Sequence, residues 1–584
     1  MSERSCTLAT LNLHWCEALF AGLAQGGLSD CVISPGSRST PLVLAADRHP
    51  WIRTHVCLDE RVAGFMALGL ALRSQRPVAL VATSGSAPAH WYPAVMEAHH
   101  VGASLILLSA DRPPELHGFG ANQTTDQQRL FGTHLRAFYD PGAPRDDDHA
   151  LRYLHALAQQ ACLQSRWPHP GPVQINLPVR EPLVPEQWPA ALCTALAPRS
   201  QLPPLAKITP DPHAVAALAT QMRQGPGLIL CGPGQYPAGF AEALMALQQT
   251  VNAPVLADPL SGLRFGTHLD DPARVCVHYD AWLRCATALP EPPAWVLQFG
   301  RMPVSQALAN YLKHEALPLR YLVNPYAHWP DPLHRSHLPL LACPLALCQA
   351  LLAQSWPAPS PNALYPRCLA LESQTQTYAT HLLQHSEALF EGHLIRALLE
   401  VLPAETLLFS SNSLPIRQLD TWSGSRRAPL HVFANRGLSG IDGNLATLLG
   451  LAQAHDTGPV VGLLGDLALV HDLGALVKAQ GQSLLLIVIN NGGGGIFGYL
   501  PQAHLESFSQ YWHTPHPLDL RALAGLFGAQ YFQLTERAQL SITLDAALTA
   551  PGLRILEVVV DATYSQTTHR TYWQTLATLQ TGLA

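Results

Sequence analysis

Residues 460–495 read VVGLLGDLALVHDLGALVKAQGQSLLLIVINNGGGG. Two apolar runs of strand length, VVGLLG and SLLLIVI, each end in polar residues: Asp466 after the first, Asn490 and Asn491 after the second. The stretch between them (DLGALVKAQG, 472–481) has helical spacing. Strand, helix, strand in this order is the unit of a parallel sheet, whose strands are buried on both faces and so read as continuous apolar runs. Asp466 and Asn491 stand 25 positions apart, which fits one helix plus one strand and puts both at the carboxyl ends of neighbouring strands. A carboxylate, an amide oxygen and nearby backbone carbonyls are hard donors that suit Mg²⁺, a cation that keeps an octahedral shell usually completed by phosphate and water. The glycines at 492–495 let backbone approach a ligand closely, and the helix start after Asp466 directs free N–H groups at a phosphate. The alternative reading is a plain βαβ unit whose turn residues only resemble ligands.

The same grammar runs outward along the chain. DCVISPG, PVALVATSG and SLILLSAD precede residue 112, GLILCGPG and AWVLQFG lie between 227 and 300, and TLLFSSN and RILEVVV flank the opening stretch. Two Pro-rich stretches, 186–207 and 355–363, break the periodicity and read as linkers. They divide the chain into 1–185, 208–354 and 364–584. The expected fold is α/β, with three doubly wound parallel-sheet domains. Ligands in such sheets sit beyond the carboxyl ends of the strands.

Composition narrows the function. The 584 residues carry a net charge of −6, so there is no basic field for nucleic acid and no polybasic run for a membrane surface. No apolar run reaches bilayer-spanning length. Only three lysines occur, Lys207, Lys313 and Lys478, and none follows glycine, which removes a P-loop; an anionic substrate has to be held by arginine. Twelve scattered cysteines without a C-x-x-C point to a reducing compartment, and the N-terminal residues lack the layout of a signal peptide; a cytoplasmic location is expected.

The 460–495 stretch resembles the GDG…NN motif of thiamine-diphosphate (ThDP) enzymes, with Leu467 at the third position. That variant, together with SPGSRSTPL (34–42), DRPPELHGFGANQ (111–123), NSLPIR (412–417), ANRGLSGIDG (434–443) and GIFGYL (495–500), resembles the SEPHCHC synthase family within that superfamily. The likeness spans nearly all of the first and third segments and is weak in the middle. It implies a pyrimidine-binding domain (1–185), a middle domain (208–354) and a diphosphate-binding domain (364–584). It implies that Asp466, Asn491 and the Gly493 carbonyl hold Mg²⁺, or Mn²⁺ in its stead, and that Gly465, Leu467, Ala468, Ile496 and Phe497 line the cofactor.

Activation of ThDP needs a largely desolvated glutamate at a strand end of another domain. Glu60 sits between the apolar run HVCL and an apolar helix (59–74), and this is the family position; an ordinary first-turn acid complementing the helix dipole is the plain alternative. Ile441 falls on the apolar wedge under the bent cofactor, a role that sequence does not separate from core packing.

The resemblance further implies a transferase that decarboxylates 2-oxoglutarate and adds the succinyl carbanion to isochorismate by conjugate addition. Both substrates are dicarboxylates, which accounts for Arg38, Arg112, Arg417 and Arg436; Ser37, Gln123, Ser413, Ile496, Phe497 and Leu500 complete the expected substrate contacts. Each arginine alone is more often a surface ion-pair partner. In the family Glu60 and Asp466 come from different subunits, so a homodimer or homotetramer with interfacial sites is expected. One departure stands out: the family's basic residue after the Phe-Gly turn of the middle domain is replaced by Ser305 and Gln306 in QFGRMPVSQAL, with Arg301 as a candidate substitute. The adjacent His99 and His100 read as a helix C-terminal cap. Two rivals remain at this point: another ThDP enzyme acting on a 2-oxo acid, and a ThDP-like binding protein without catalysis.

Overall fold

The structure, a computed structural model, describes residues 7–145, 147–189, 205–285, 289, 291–337, 339–357 and 363–581. Most of both linker stretches, 190–204 and 358–362, lies outside the described residues.

Three sheets form, and every strand pairing within them is parallel. The first holds β1 (Asp30–Ile33), β2 (Arg53–Val56), β3 (Val78–Ala82), β4 (Leu105–Asp111), β5 (Ala137–Tyr139) and β6 (Val173–Pro178), in the order β2-β1-β3-β4-β6-β5. The middle sheet holds β7 (Gly227–Cys231), β8 (Val255–Ala257), β9 (Val275–Cys276), β10 (Trp295–Phe299) and β11 (Arg320–Val323), ordered β11-β10-β7-β8-β9. The third holds β12 (Thr406–Ser410), β13 (Leu430–Phe433), β14 (Val460–Gly465), β15 (Leu484–Asn490), β16 (Gln530–Leu534) and β17 (Leu553–Val559), ordered β13-β12-β14-β15-β17-β16. The α/β class with three doubly wound parallel sheets is therefore observed.

Covering both faces of a sheet requires side chains that alternate between two cores. In the middle sheet Leu228, Leu230, Leu256 and Val296 enter one buried cluster, while Ile229, Cys231, Val255 and Leu297 enter another. The first and third sheets repeat one topology, since each starts with the same strand order. Their switch points, where ligand crevices form, fall between β1 and β3 and between β12 and β14.

The chain partitions into two compact units. One comprises Met1–Leu205, Asn435–Asp456 and His471–Ala479; the other comprises Ala206–Ala434, Thr457–Val470 and Gln480–Ala584. In the first unit the helix Glu60–Ser74 is buried continuously from Val62 to Ala71 and packs against the helix Asn444–Gln453. A Cβ on Gly69 would stand 2.1 Å from the Thr447 carbonyl oxygen, and one on Gly450 would stand 1.9 Å from that of Met66. Glycine on both sides is what lets the two backbones touch.

Two expectations shift in detail. The strand before Glu60 is Arg53–Val56, so Cys57 and Leu58 of HVCL belong to the turn. The helix expected over 472–481 is instead a helix Asp466–His471, a 3-10 turn Leu473–Ala475 and a helix Leu476–Ala479. The break falls at Asp472, whose buried carboxylate accepts the Ala446 N–H at 2.8 Å at the start of the helix Asn444–Gln453. No helix among the described residues is long and apolar enough to cross a membrane.

Candidate active site

Strand β14 ends at Gly465, and buried Asp466 opens the next helix. The register pairs Gly465 with Ile489 of β15, so the turn after β15 opens beside Asp466. Asp466 Oδ1 accepts the Leu467 N–H at 2.7 Å, and Oδ2 accepts the Gly493 N–H at 2.8 Å. Asn490 faces the other way: its amide donates to Glu557 of β17 at 2.6 Å. Asn491 Oδ1 is buried and has no hydrogen-bond partner. The Gly493 carbonyl accepts from the Gly495 N–H at 2.9 Å, which leaves its second lone pair. Burial pushes the Asp466 carboxyl up from its ordinary range, and the N–H donors with nearby His516 pull it back; His516 Nε2 lies 3.3 Å from Oδ2.

These residues fit a hard divalent cation. An orphaned buried amide oxygen, a buried carboxylate and a carbonyl converge on one turn, and all are oxygen donors. Among the described residues no cluster of three or more His, Cys, Asp or Glu offers a rival metal centre. The neighbouring strand β12 leads into Ser411, whose hydroxyl accepts the Gly465 N–H at 3.2 Å, and then into Ser413 at φ +72°. Arg417 is exposed and donates to the Ser413 carbonyl at 2.6 Å. Leu467, Ile496 and Phe497 are half-buried, Ala468 is buried and Leu500 is exposed.

The first sheet builds a basic crevice at its own switch point. Exposed Ser37 and buried Arg38 follow β1, Ser84 follows β3, and Arg112 follows β4. Arg112 donates to the Ser84 hydroxyl. Gln123, at φ +55°, donates to the Ser84 carbonyl at 2.9 Å. Arg38 donates to the Val179 carbonyl at 3.0 Å and to Glu181 at 2.7 Å, and its buried Nε has no partner. Burial, and then the charge of Arg38, push the pKa of Arg112 down. Two guanidinium groups that feel each other's charge, one with a spare donor beyond its Glu181 partner, favour an added anion beside them.

Glu60 opens the helix Glu60–Ser74, which Asp59 caps by accepting the Arg61 N–H at 2.8 Å. Glu60 is half-buried in the single chain, more open than the desolvated position expected, and beside it Val56 and Leu58 are 60% and 75% exposed. In the same unit lies the segment with Arg436 and Ile441, both half-buried. Glu97, itself buried, grips it: its two carboxylate oxygens accept the N–H groups of Gly437 and Leu438, each at 2.7 Å.

In the middle segment Ser305 caps the helix Gln306–Leu312 and donates to Asp280 at 2.7 Å, while Gln306 is exposed and bonds Asn310. Arg301 lies in the turn after β10, its N–H on the Pro233 carbonyl. His99 does not cap its own helix. Gly102 at φ +75° ends it, Arg136 donates to the His99 carbonyl at 2.8 Å, and the His99 ring turns to the His134 carbonyl. Sequence reasoning missed Ser84, Glu97, Ser411 and His516. Ser84 and Ser411 were legible as the polar residues after β3 and β12; Glu97 and His516 carry no local signal, because their partners are distant in the chain.

Residues 14–130 match the family described as "Thiamine pyrophosphate enzyme, N-terminal TPP binding domain", and residues 418–558 match the corresponding "C-terminal TPP binding domain". A protein of Dechloromonas aromatica named 2-succinyl-5-enolpyruvyl-6-hydroxy-3-cyclohexene-1-carboxylate synthase is 43% identical over 94% of this chain and 99% of its own length. Proteins of the same name from Geobacillus kaustophilus and Chloroflexus aurantiacus are 39% and 40% identical, each over 96% of this chain and over 97% and 95% of their own lengths. With its oxygen-donor turn, its arginine crevice and near full-length likeness to these relatives, the chain belongs to the 2-succinyl-5-enolpyruvyl-6-hydroxy-3-cyclohexene-1-carboxylate synthase family of thiamine pyrophosphate enzymes.

Proposed function

We infer that this enzyme joins the four-carbon unit left by decarboxylation of 2-oxoglutarate to the ring alkene of isochorismate, releasing CO₂ and forming SEPHCHC in menaquinone biosynthesis. The observation that carries this is the near full-length likeness to synthases of that name, and the arginine crevice suits two dicarboxylate substrates.

When bound, thiamine diphosphate would supply a thiazolium ring able to accept the electron pair that departing CO₂ leaves behind. The chain's own residues do the rest. Asp466, Asn491 and the Gly493 carbonyl hold the divalent cation that anchors the diphosphate, beside the backbone of Gly465, Leu467 and Ala468. Ile441 would pack against the cofactor, and the Glu60 carboxylate would hold its pyrimidine ring and exchange a proton there. Arg38, Arg112, Arg417 and Arg436, with Ser37, Gln123 and Ser413, position the substrate carboxylates; Ile496, Phe497 and Leu500 give an apolar wall that excludes water. Holding two anions next to each other turns a bimolecular step into a local one. In this reading the segments 1–185, 208–354 and 364–584 are the pyrimidine-binding, middle and diphosphate-binding domains.

The working form is a homo-oligomer in which Glu60 of one subunit serves the cation site of another. The exposed Val56 and Leu58 beside Glu60 support this, since a partner would cover them. Co-expression of Glu60→Gln and Asp466→Ala chains, each inactive alone, then restores part of the activity; persistent inactivity speaks for sites within one chain. Among the described residues ten cysteines are free and nine of these are buried, which supports a reducing, cytoplasmic setting.

The decisive assay follows CO₂ release from 2-oxoglutarate and loss of isochorismate in one tube, with ThDP and Mg²⁺. Coupled consumption of both substrates is expected. Decarboxylation that leaves isochorismate untouched assigns a different acceptor, a result to which the neutral Gln306 would be relevant.

A further inference from the structure

The turn that bears Ile496, Phe497 and Leu500 is short and weakly held from within. It is a 3-10 helix, Gly495–Tyr499, with internal backbone bonds from the Phe497 N–H to Gly494 and from the Leu500 N–H to Phe497, each 3.1 Å. A single 3-10 turn after a run of glycines does not fix its own orientation. The turn meets the last helix, Ala562–Thr581. Gln566, His569 and Arg570 are spaced i, i+3 and i+4, so they share one helix face, and all three reach the turn.

Arg570 Nη2 donates to the Gly498 carbonyl at 2.7 Å, and its guanidinium lies 6.0 Å from the centre of the Tyr499 ring. Gln566 Nε2 donates to the Gly495 carbonyl at 3.4 Å; a Cβ on Gly498 would stand 2.2 Å from the same nitrogen. The Tyr499 hydroxyl lies 3.3 Å from Nδ1 of buried His569. His569 is itself locked. The Trp422 indole, which only donates, points at its Nε2 at 3.1 Å, so the proton sits on Nδ1, which donates to the Ser565 carbonyl at 2.8 Å.

We propose that this face of the C-terminal helix is a clamp that sets the position of the Ile496–Phe497–Leu500 wall, making Gln566, His569 and Arg570 positioning residues for substrate binding. The inference rests on the assignment of that wall to substrate given above. Ordinary packing of a terminal helix is the competing account, and it predicts no selective effect of Arg570, which is exposed.

The test uses the full-length enzyme with three changes: Arg570→Ala, Arg570→Lys, and Phe497→Ala as a control on the wall. Expected for Arg570→Ala are faster amide hydrogen exchange in the 495–500 peptide of the cofactor-free protein and a rise of about tenfold in KM for one or both substrates, with kcat changed less. Arg570→Lys, which keeps one donor for Gly498, recovers most of the KM. If Arg570 proves needed for folding, Gly498→Ala, which pushes Gln566 away, reads the same clamp. Unchanged exchange overturns the proposal, as does an unchanged KM in Arg570→Ala when Phe497→Ala raises KM. If Phe497→Ala also leaves KM unmoved, what falls is the assignment of the wall to substrate, and the clamp as a substrate-positioning device falls with it.

Discussion

The first and third sheets share one strand order, yet their carboxyl ends carry opposite chemistry. The strands β1, β3 and β4 lead into Arg38, Ser84 and Arg112; their equivalents β12, β14 and β15 lead into Ser411, Asp466 and Asn491. One crevice has a surplus of guanidinium donors, the other a surplus of oxygen acceptors. Topology thus decides where a ligand sits, while the residues in the first few places past each strand decide its charge. The helices after β2 and β13 are likewise equivalent, and they are the two that meet at Gly69 and Gly450.

The sharpest way to break this contrast is at Asp466. Asp466→Ala should cut turnover about 10³-fold or more and abolish cation-dependent binding of ThDP, read by tryptophan fluorescence titration with Mg²⁺. Retained Mg²⁺ dependence would move the cation site elsewhere. Glu60→Gln comes next: a loss of about 10²–10³ in kcat with ThDP affinity kept within about tenfold, because the residue handles a proton and holds no diphosphate. Arg112→Ala should raise KM about 10–100-fold, the worth of one or two charge-assisted hydrogen bonds, with a smaller effect on kcat; an equal loss in ThDP affinity would place Arg112 on the cofactor instead.

The smallest effect concerns stability. Burial raises the Asp472 carboxyl to about 6, offset by the Ala446 N–H and by Arg61 at 3.9 Å and reinforced by Asp442. The folded state holds this proton more tightly than the unfolded chain, so its contribution is present below about pH 4 and is lost as pH rises to 6. Asp472→Asn should therefore flatten the fall in melting temperature between about pH 4 and 6, by an amount of order 1 kcal/mol, since Asn keeps an oxygen for Ala446. An unchanged pH profile would remove Asp472 from the account.

Strands buried on both faces were legible because they read as unbroken apolar runs: β3, β4, β7, β14 and β15 all fall where the pattern puts them. Several edge strands were not. β5 and β16 carry half-exposed patterns, and β9 spans two residues. A solvated edge has no need of a continuous apolar signal. The same divide holds at the site. Asp466 and Asn491 announce themselves by following apolar strands, but Glu97 grips Gly437 and Leu438 across some 340 positions. Nothing near Glu97 distinguishes it from a surface acid on an amphipathic helix, and its role exists only once the distant segment has arrived.

That arrival has a consequence for synthesis. The helix Glu60–Ser74 is apolar around its whole circumference, and part of its cover is the helix Asn444–Gln453. A ribosome adding about 5–20 residues per second needs roughly 20–75 s to travel from the first helix to the second. For that interval the nascent first sheet carries an unsatisfied sticky surface, so the chain's period of greatest exposure to misassociation falls midway through translation, well before release.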